Sequence, residues 1–276
     1  MGARPAPPAL PNGRPSRSGG EAEISQAKPR PSPEAAAARF RVALEYALRG
    51  ELRFLSHRDE LRMLMRALVR ARWPVAYSQG FNPLPRLSVP FPRNLGTAAE
   101  RQLALVDLRE ARAPAELLAS LAGALPADCV LQRVTAPAPR VTPHPLRVTY
   151  EVELRPEEAA GIGERLAALT AREALTIERE SGPGKPTRAV DIRPYIDRLE
   201  VEGGWLRLHL RFAQQRTARP SEILTELGLA ASCGHRLRRG AVQWDIELPG
   251  PCVGPALHER KPLDQEEESA EDRART

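Results

Sequence analysis

The clearest indication of the fold is an alternating stretch, LRVTYEVEL, at residues 146–154. Leu146, Val148 and Tyr150 alternate with charged or polar residues, and this period of two is typical of a strand with one buried face. A similar stretch, FRVALEY, occurs earlier in the chain at residues 40–46. The two stretches predict two halves, each of which begins with a half-buried strand.

The first half continues with alternating helical and extended segments. After the opening strand we expect a helix at about residues 57–72, an extended proline-rich segment at 75–92 and a strand at about 101–108. Pro114 opens a second helix, because proline suits the first helical position, and a last strand covers 130–134. The order β-α-β-β-α-β is that of the ferredoxin-like fold.

The second half resembles the first in its order of elements. Pro156 opens a helix that runs to Leu169, and Gly203-Gly204 joins two strands as a hairpin. A short helix at 221–227 and a strand at 241–248 complete this half, which also contains an extra stretch at about 189–196. We therefore predict an α+β fold that consists of two tandem ferredoxin-like units.

Composition divides the chain into five segments. The two ends lack hydrophobic periodicity and are rich in Pro, Gly, Ser or acidic residues, which predicts disorder. A proline-rich linker separates the two halves. The predicted segments are a disordered tail at 1–37, a basic ferredoxin-like domain at 38–137, a linker at 138–145, a second ferredoxin-like domain at 146–252 and an acidic disordered tail at 253–276.

Several classes of protein are excluded by the sequence. No apolar run approaches the roughly 20 residues of a membrane span, and the N-terminus has no apolar signal region, so we expect a cytoplasmic protein without membrane contact. Cys129, Cys233 and Cys252 are far apart in sequence, whereas zinc and iron–sulfur ligands are usually clustered. We expect no metal, no cofactor and no disulfide, and we expect unreactive buried thiols.

The positive charge is concentrated in the first half. The chain has a net charge of +6. Residues 38–113 hold 14 arginines against seven acids, whereas residues 114–252 hold equal numbers of basic and acidic residues. A basic field of this kind favours an acidic partner, and we expect that partner to be RNA.

The predicted helix at 57–72 presents arginines at a helical spacing. Leu61, Leu64, Met65 and Leu68 form the predicted buried stripe, with Ser56 as N-cap and Asp59 as its capping partner. Like charges four residues apart repel each other in a helix, so they require partners. Phosphates, acids on neighbouring elements and water could each fill this role. The arginines on this second face are Arg58, Arg62, Arg66 and Arg70.

An aromatic, proline-stiffened segment follows this helix. Tyr77 or Phe81 could stack on a base while Arg86 holds a phosphate, which is how many proteins recognise single-stranded RNA. Alternatively, Phe81 could fill the core while the prolines stiffen an edge strand. The candidate binding residues in the segment from Arg53 to Arg93 include Arg53, Tyr77, Gln79, Phe81, Asn82 and Arg86.

Two further places could carry chemistry. His57 lies at the helix N-terminus, where a general acid or base is plausible, although no partner follows in sequence and a structural role is the alternative. In the second half, Asp191 and Arg193 lie on the same side of an extended segment and could pair or hold a ligand. Arg207, His209 and Arg211 share a strand face that is predicted to be exposed.

These segments resemble one known family. FLSH at 54–57, the arginine-rich helix, YSQGFNP at 77–83 and VDIRP at 190–194 are similar to the signature of the radical-SAM-linked proteins, a bacterial family of unknown function. The family typically has Ser-His-Leu-Asp where this chain has Arg58 in the third position. It also commonly has His-Pro where Leu84-Pro85 stands here, which weakens any mechanism that needs a histidine pair.

The resemblance implies an accessory role to a radical SAM enzyme, which would be the partner that carries the cluster. Together with the basic segment, it predicts a non-catalytic protein that binds RNA or presents substrate through residues 53–93. One alternative is a metal-independent RNA-processing enzyme that uses His57 as its acid or base. Another alternative is a protein–protein adaptor that binds no RNA.

Overall fold

The structure is a computed structural model that describes residues 40–136, 138, 140–180, 186–229 and 233–247, and the backbone of 252–253. The predicted tails, apart from the backbone of Val253, and part of the predicted linker lie outside the described residues. Within the described part of the chain, no helix is both long and apolar enough to cross a membrane.

The first half contains four strands and two helices in the predicted order. The helix predicted at 57–72 and the second helix opened by proline are both present, which confirms these two elements. A short 3-10 turn at Gly50–Phe54 precedes the first helix. The elements are β1 (Phe40–Leu48), α1 (His57–Arg70), β2 (Leu87–Ser88), β3 (Ala98–Leu108), α2 (Pro114–Ala122) and β4 (Cys129–Thr135).

The second half departs from the prediction in two places. Gly161 takes a positive φ of 65° and breaks the predicted continuous helix after Pro156 into two short helices. The extra stretch pairs with the preceding strand as a separate two-stranded sheet. The elements are β5 (Pro145–Glu153), α3 (Pro156–Ala159), α4 (Ile162–Thr170), β6 (Thr176–Glu180), β7 (Thr187–Asp191), β8 (Ile196–Glu202), β9 (Trp205–Arg211), α5 (Pro220–Glu226), β10 (Arg238–Trp244) and β11 (Cys252–Val253).

One mixed sheet contains strands from both halves. Its order is β11-β4-β1-β3-β10-β5-β9-β8, and β2 pairs beside β3. Neighbours are antiparallel except at the junction of the halves, where β10 runs parallel to β3. That junction consists of two residue pairs, Arg238 with Ala98 and Arg239 with Ala99. The fold is therefore α+β, as predicted, with a single sheet that continues across the predicted boundary.

The helices of both halves cover the same face of this sheet. In the first half the core lies between β1 and the helices α1 and α2, and it includes Tyr46. In the second half the core lies between β5 and β9 and the helices α4 and α5, and it includes Tyr150. Arg239 interacts electrostatically with both tyrosines, so the two cores meet beside β10 on one side of the sheet.

The opposite face, which we call the helix-free face, differs between the halves. In β5 the predicted alternation is confirmed from Val148 onward, because Val148, Tyr150 and Val152 are buried while their neighbours are partly or fully exposed. Leu146, the first residue of the predicted series, is 44% exposed. In β1 both faces are buried, so the prediction of a half-buried strand was wrong there. The reason is that Trp244 and Ala138 pack over the helix-free side of β1 and β3.

A buried polar cluster lies where the two halves meet. Glu60 of α1 is 1% exposed, and its Oε1 accepts hydrogen bonds from Tyr46 Oη at 2.7 Å and Gln102 Nε2 at 3.0 Å. Its Oε2 lies 3.6 Å from Nε of Arg93, which is equally buried. Burial raises the pKa of the Tyr46 hydroxyl, and the Glu60 carboxylate raises it further. We call these residues, with Arg239, the seam cluster.

Arg93 links the seam cluster to the segment before α1. Its guanidinium donates to the carbonyl oxygens of Leu52 at 2.7 Å, Leu55 at 3.1 Å and Thr97 at 3.2 Å, and also to that of Arg53. Carbonyl groups at the end of a short helical turn have no partners within the turn, so an arginine can satisfy several of them at once. This contact fixes the turn that leads into α1.

The seam cluster generates a prediction about stability. In Glu60→Gln the remaining carbonyl oxygen can still accept from Tyr46 and Gln102, but Arg93 loses its buried counter-charge. We expect the free energy of unfolding to fall by about 3 kcal/mol, as is usual when one member of a buried pair is neutralised. Urea denaturation followed by circular dichroism measures this change.

The matched control is Glu116→Gln, because Glu116 pairs with Arg112 at 3.0 Å on the surface, and there the loss should stay below about 0.5 kcal/mol. Equal losses in the two variants would contradict the role given to Glu60.

A second prediction concerns the thiols. Cys129 and Cys233 are buried and form no disulfide, and burial raises the pKa of Cys129 to about 12, with a smaller contribution from Glu60. Because the reactive form is the thiolate, neither thiol should react in the folded protein near pH 8. A Cys252→Ser variant should therefore consume a thiol reagent only after denaturant is added. Rapid stoichiometric reaction of the folded variant would show that the thiols are accessible.

Candidate functional site

Helix α1 begins with the predicted cap. Ser56 Oγ accepts from the backbone N–H of Asp59 at 3.2 Å and donates to the Asp59 carboxylate at 2.6 Å. The hydrogen bond from Ser56, followed by the Arg62 guanidinium, lowers the pKa of Asp59 from its usual value. The predicted buried stripe is partly wrong. The fully buried residues of α1 are Glu60, Leu64, Ala67 and Leu68, whereas Leu61 and Met65 are half-buried.

The four predicted arginines of α1 are all exposed, which leaves their guanidinium groups open to a partner. Arg62 pairs with Asp59 at 2.9 Å, and Arg70 donates to the carbonyl oxygen of Ala124 at 2.6 Å. Arg58 and Arg66 make no hydrogen bond or ion pair with any residue that the structure describes. We call the exposed side of α1 that carries Arg58, Arg62, Arg66 and Arg70 the arginine face.

His57 is the first residue of α1 and is exposed. Its ring forms no hydrogen bond with the described residues. The acid–base role predicted for His57 therefore depends on groups that a substrate or a partner would supply.

The segment after α1 forms a projecting loop. It leaves the edge of β3 where Ala76 N–H donates to Asp107 O and Arg86 N–H donates to Ala76 O, each at 2.8 Å. Tyr77 then pairs with Pro85, and Ser78 N–H donates to the carbonyl oxygen of Leu84 at 2.8 Å. We call residues 77–85 the aromatic loop. These paired positions form a neck that fixes its direction.

The tip of the aromatic loop holds apolar side chains in solvent. Phe81 is fully exposed, at 101% of its reference area, and Leu84 is 67% exposed. Tyr77 is 43% exposed, and both Gln79 and Asn82 are exposed. The alternative in which Phe81 fills the core is therefore wrong. The whole Phe81 ring is thus accessible at the tip of the loop.

Two predicted arginines lie at the base of this surface. Arg53 is half-buried, and its guanidinium lies 4.8 Å from the centre of the Phe54 ring. Arg86 is also half-buried, and its Nε has no hydrogen-bond partner among the described residues. Phe54 and Leu95 are also exposed apolar residues, and neither was among the predicted binding residues, although Phe54 belongs to the FLSH segment that resembles the family signature.

The second-half candidates are engaged within the protein and lie on other elements. Asp191 Oδ1 accepts from the backbone N–H groups of Leu175 at 2.8 Å and Arg193 at 3.0 Å. The Arg193 guanidinium donates to the carbonyl oxygens of Thr170 and Arg172 at the end of α4. These contacts cap the helix, and the structure shows no side-chain pair between Asp191 and Arg193.

The exposed strand face predicted in the second half is neutralised by acids. His209 Nε2 lies 2.9 Å from Glu200 Oε1, and Arg207 pairs with Glu151 at 3.3 Å. Arg211 lies 3.4 Å from Asp197. This face is therefore less suited to phosphate than the arginine face. Among the described residues, no group of three His, Cys, Asp or Glu side chains could hold a metal ion.

Comparison with known families adds one match. The model of DUF2344, described as an uncharacterized protein conserved in bacteria, matches residues 41–222, which is about two thirds of the chain. The match includes α1, the aromatic loop and Asp191–Arg193. No curated protein matches the chain. Since the matched residues exceed half of the sequence, the chain belongs to the DUF2344 family of uncharacterized bacterial proteins.

Proposed function

We propose that this protein binds single-stranded RNA through the arginine face and the aromatic loop. The observation that carries the proposal is the fully exposed Phe81 at the tip of a loop whose neck is held by backbone pairing. An exposed aromatic ring on a directed loop suits base stacking, which tolerates any base because every base has a π-face.

The charges of the arginine face also support RNA binding. Arg58 and Arg66 form no hydrogen bond or ion pair with the described residues, although repulsion between neighbouring arginines on a helix disfavours this arrangement. Phosphates would relieve the repulsion, and guanidinium groups bind phosphate oxygens with two parallel hydrogen bonds. Ion pairing with a polymer also releases counterions, so the interaction should weaken steeply with salt.

We also propose that the protein is an accessory component for a radical SAM enzyme and that its two halves are ferredoxin-like units. The first part rests on the sequence resemblance at 54–57, 77–83 and 190–194. The second is supported by the strand orders β4-β1-β3-β2 and β10-β5-β9-β8, each with helices on one face. In this proposal the protein holds or presents RNA while the partner carries out the reaction.

A third prediction tests the arginine face. Arg58→Glu/Arg66→Glu should weaken binding to a labelled single-stranded RNA by about 10- to 100-fold at low salt. The slope of log affinity against log salt should fall by at least about 1.4, because two phosphate contacts are lost. Fluorescence anisotropy across a salt series measures both quantities. These two arginines are chosen because their reversal breaks no hydrogen bond or ion pair with a described residue.

The matched control reverses the same amount of charge elsewhere. Arg188 and Arg216 are exposed in the second half, and their side chains make no hydrogen bond or ion pair with the described residues. Arg188→Glu/Arg216→Glu should change the affinity much less. If the two double variants weakened binding equally, the effect would come from net charge and the arginine face would not be the site.

The next prediction separates stacking from simple apolar contact. Phe81→Ala should weaken RNA binding by about 5- to 150-fold, which corresponds to the loss of one stacked base. Phe81→Trp should retain binding, and Phe81→Leu should lose it, because leucine is apolar without a π-face. None of these changes should lower the melting temperature, since Phe81 is fully exposed. Full retention of affinity in Phe81→Leu would overturn the stacking role.

The same labelled RNA also tests the two alternative functions, an RNA-processing enzyme and a protein–protein adaptor. If the labelled RNA is cleaved by the wild type but only bound by His57→Ala, the protein is an RNA-processing enzyme. If it binds no RNA, and Arg58→Glu/Arg66→Glu instead disrupts a complex with a radical SAM protein, the arginine face is an adaptor surface.

A further inference from the structure

A cleft opens on the helix-free face where the two halves meet. β10 pairs with β3 only at Ala98–Ala99, and β2 pairs with β3 only at 105–106. Between these pairings, residues 100–104 of β3 have no strand partner on that side among the described residues. The register of β10 against β5 shifts between Arg239 and Val242, and such a bulge bends a strand away from its neighbour.

The volume of this cleft limits what it can hold. It measures about 170 Å³ and is lined on its β10 side by Val242 and Trp244. A cavity of about 150 Å³ is large enough for one benzene molecule. The Trp244 indole packs against the apolar cluster of Ala43, Leu103 and Leu105, which holds it in place as one wall. The cleft is therefore sized for a single planar ring beside an aromatic side chain.

The charged wall of the cleft carries an excess positive charge. Glu45 accepts from Arg101 Nη2 at 2.7 Å and from Arg133 Nη1 at 3.2 Å, so two guanidinium groups share one carboxylate. The neighbouring pair on this face, Arg41 with Asp107 at 2.7 Å, is neutral. One positive charge thus remains at the cleft, and Arg101 is half exposed and able to meet an anion.

We propose that this cleft binds a small anion with one planar ring, with the ring beside Trp244 and the anionic group on Arg101 and Arg133. Pyrimidine nucleotides and aromatic carboxylates share this chemistry.

This site is independent of the proposed RNA surface, because it lies on the helix-free face whereas α1 covers the opposite face. The proposal therefore stands or falls on small-molecule binding alone.

Calorimetric titration of the full chain with four probes tests whether the cleft binds a ring-bearing anion. Uridine monophosphate should bind at least tenfold more tightly than uridine, which lacks the anion, and than inorganic phosphate, which lacks the ring. Benzoate distinguishes the two ligand sources: tighter binding of benzoate than of the nucleotide would assign the site to aromatic carboxylates. The proposal is overturned if neither ring-bearing anion binds more tightly than inorganic phosphate.

Substitutions in the cleft test whether the ligand binds there. Arg101→Gln and Trp244→Leu should each lower the affinity for the tightest-binding ring-bearing anion by tenfold or more. Arg147→Gln and Trp205→Leu are the matched controls, because both residues lie on neighbouring strands of the second half, outside the cleft. If Trp244→Leu does not fold, Arg101→Gln still decides, since Glu45 keeps its contact with Arg133. Unchanged affinity in Arg101→Gln would place the ligand elsewhere. Because the arginine face lies outside the cleft, Arg58→Glu/Arg66→Glu should bind the probes as the wild type does.

Discussion

The ion pair between Glu60 and Arg93 is the constraint on which the rest of the structure depends. Both side chains are 1% exposed, so neither charge can be solvated by water. A buried charge is tolerated only when hydrogen bonds and a counter-charge replace its hydration. Glu60 meets this condition through Tyr46 and Gln102, and Arg93 meets it through the carbonyl groups that precede α1. The position of α1 on the sheet is thereby tied to the seam between the halves.

The narrow seam has consequences for both candidate surfaces. Only two residue pairs join β3 to β10, so side chains must supply most of the remaining contact between the halves. Arg239 does so from β10, because its guanidinium donates to Phe91 O at 3.0 Å and lies over the Phe91 ring. The Phe91 ring in turn meets Phe212 edge-on at 5.3 Å. Beyond this junction the strands separate, which opens the cleft on the helix-free face. Further along β3, the flanks of the aromatic loop pair with the same edge and direct the loop away from the sheet.

Local signals predicted the elements, whereas the long-range features needed the structure. Alternation in LRVTYEVEL and the proline and capping residues around α1 predicted strands and helices, because these signals depend on near neighbours in sequence. The pairing of Arg239 with Ala99 joins residues far apart in the chain, and no local pattern encodes it. Glu60 could have been found, since it lies four residues before Leu64 on the buried side of the helix. The exposure of Phe81 could not, because a phenylalanine near prolines is equally compatible with a core position.

The ion pairs of the first half explain where its excess charge is available. Six of the seven acids between residues 38 and 113 form ion pairs, and four of these pairs neutralise arginines on or next to the sheet and in the seam. Glu45, Asp107 and Glu100 lie on the strands and pair with arginines there or nearby, so the basic surplus does not spread over the whole domain. The arginines without a carboxylate partner among the described residues are Arg53, Arg58, Arg66, Arg70, Arg72, Arg86 and Arg109. All but Arg109 belong to α1 or to the segments on either side of it. The positive field is thus concentrated around α1 and the base of the aromatic loop, the part of the molecule where a polyanion would find both charge and an exposed aromatic ring.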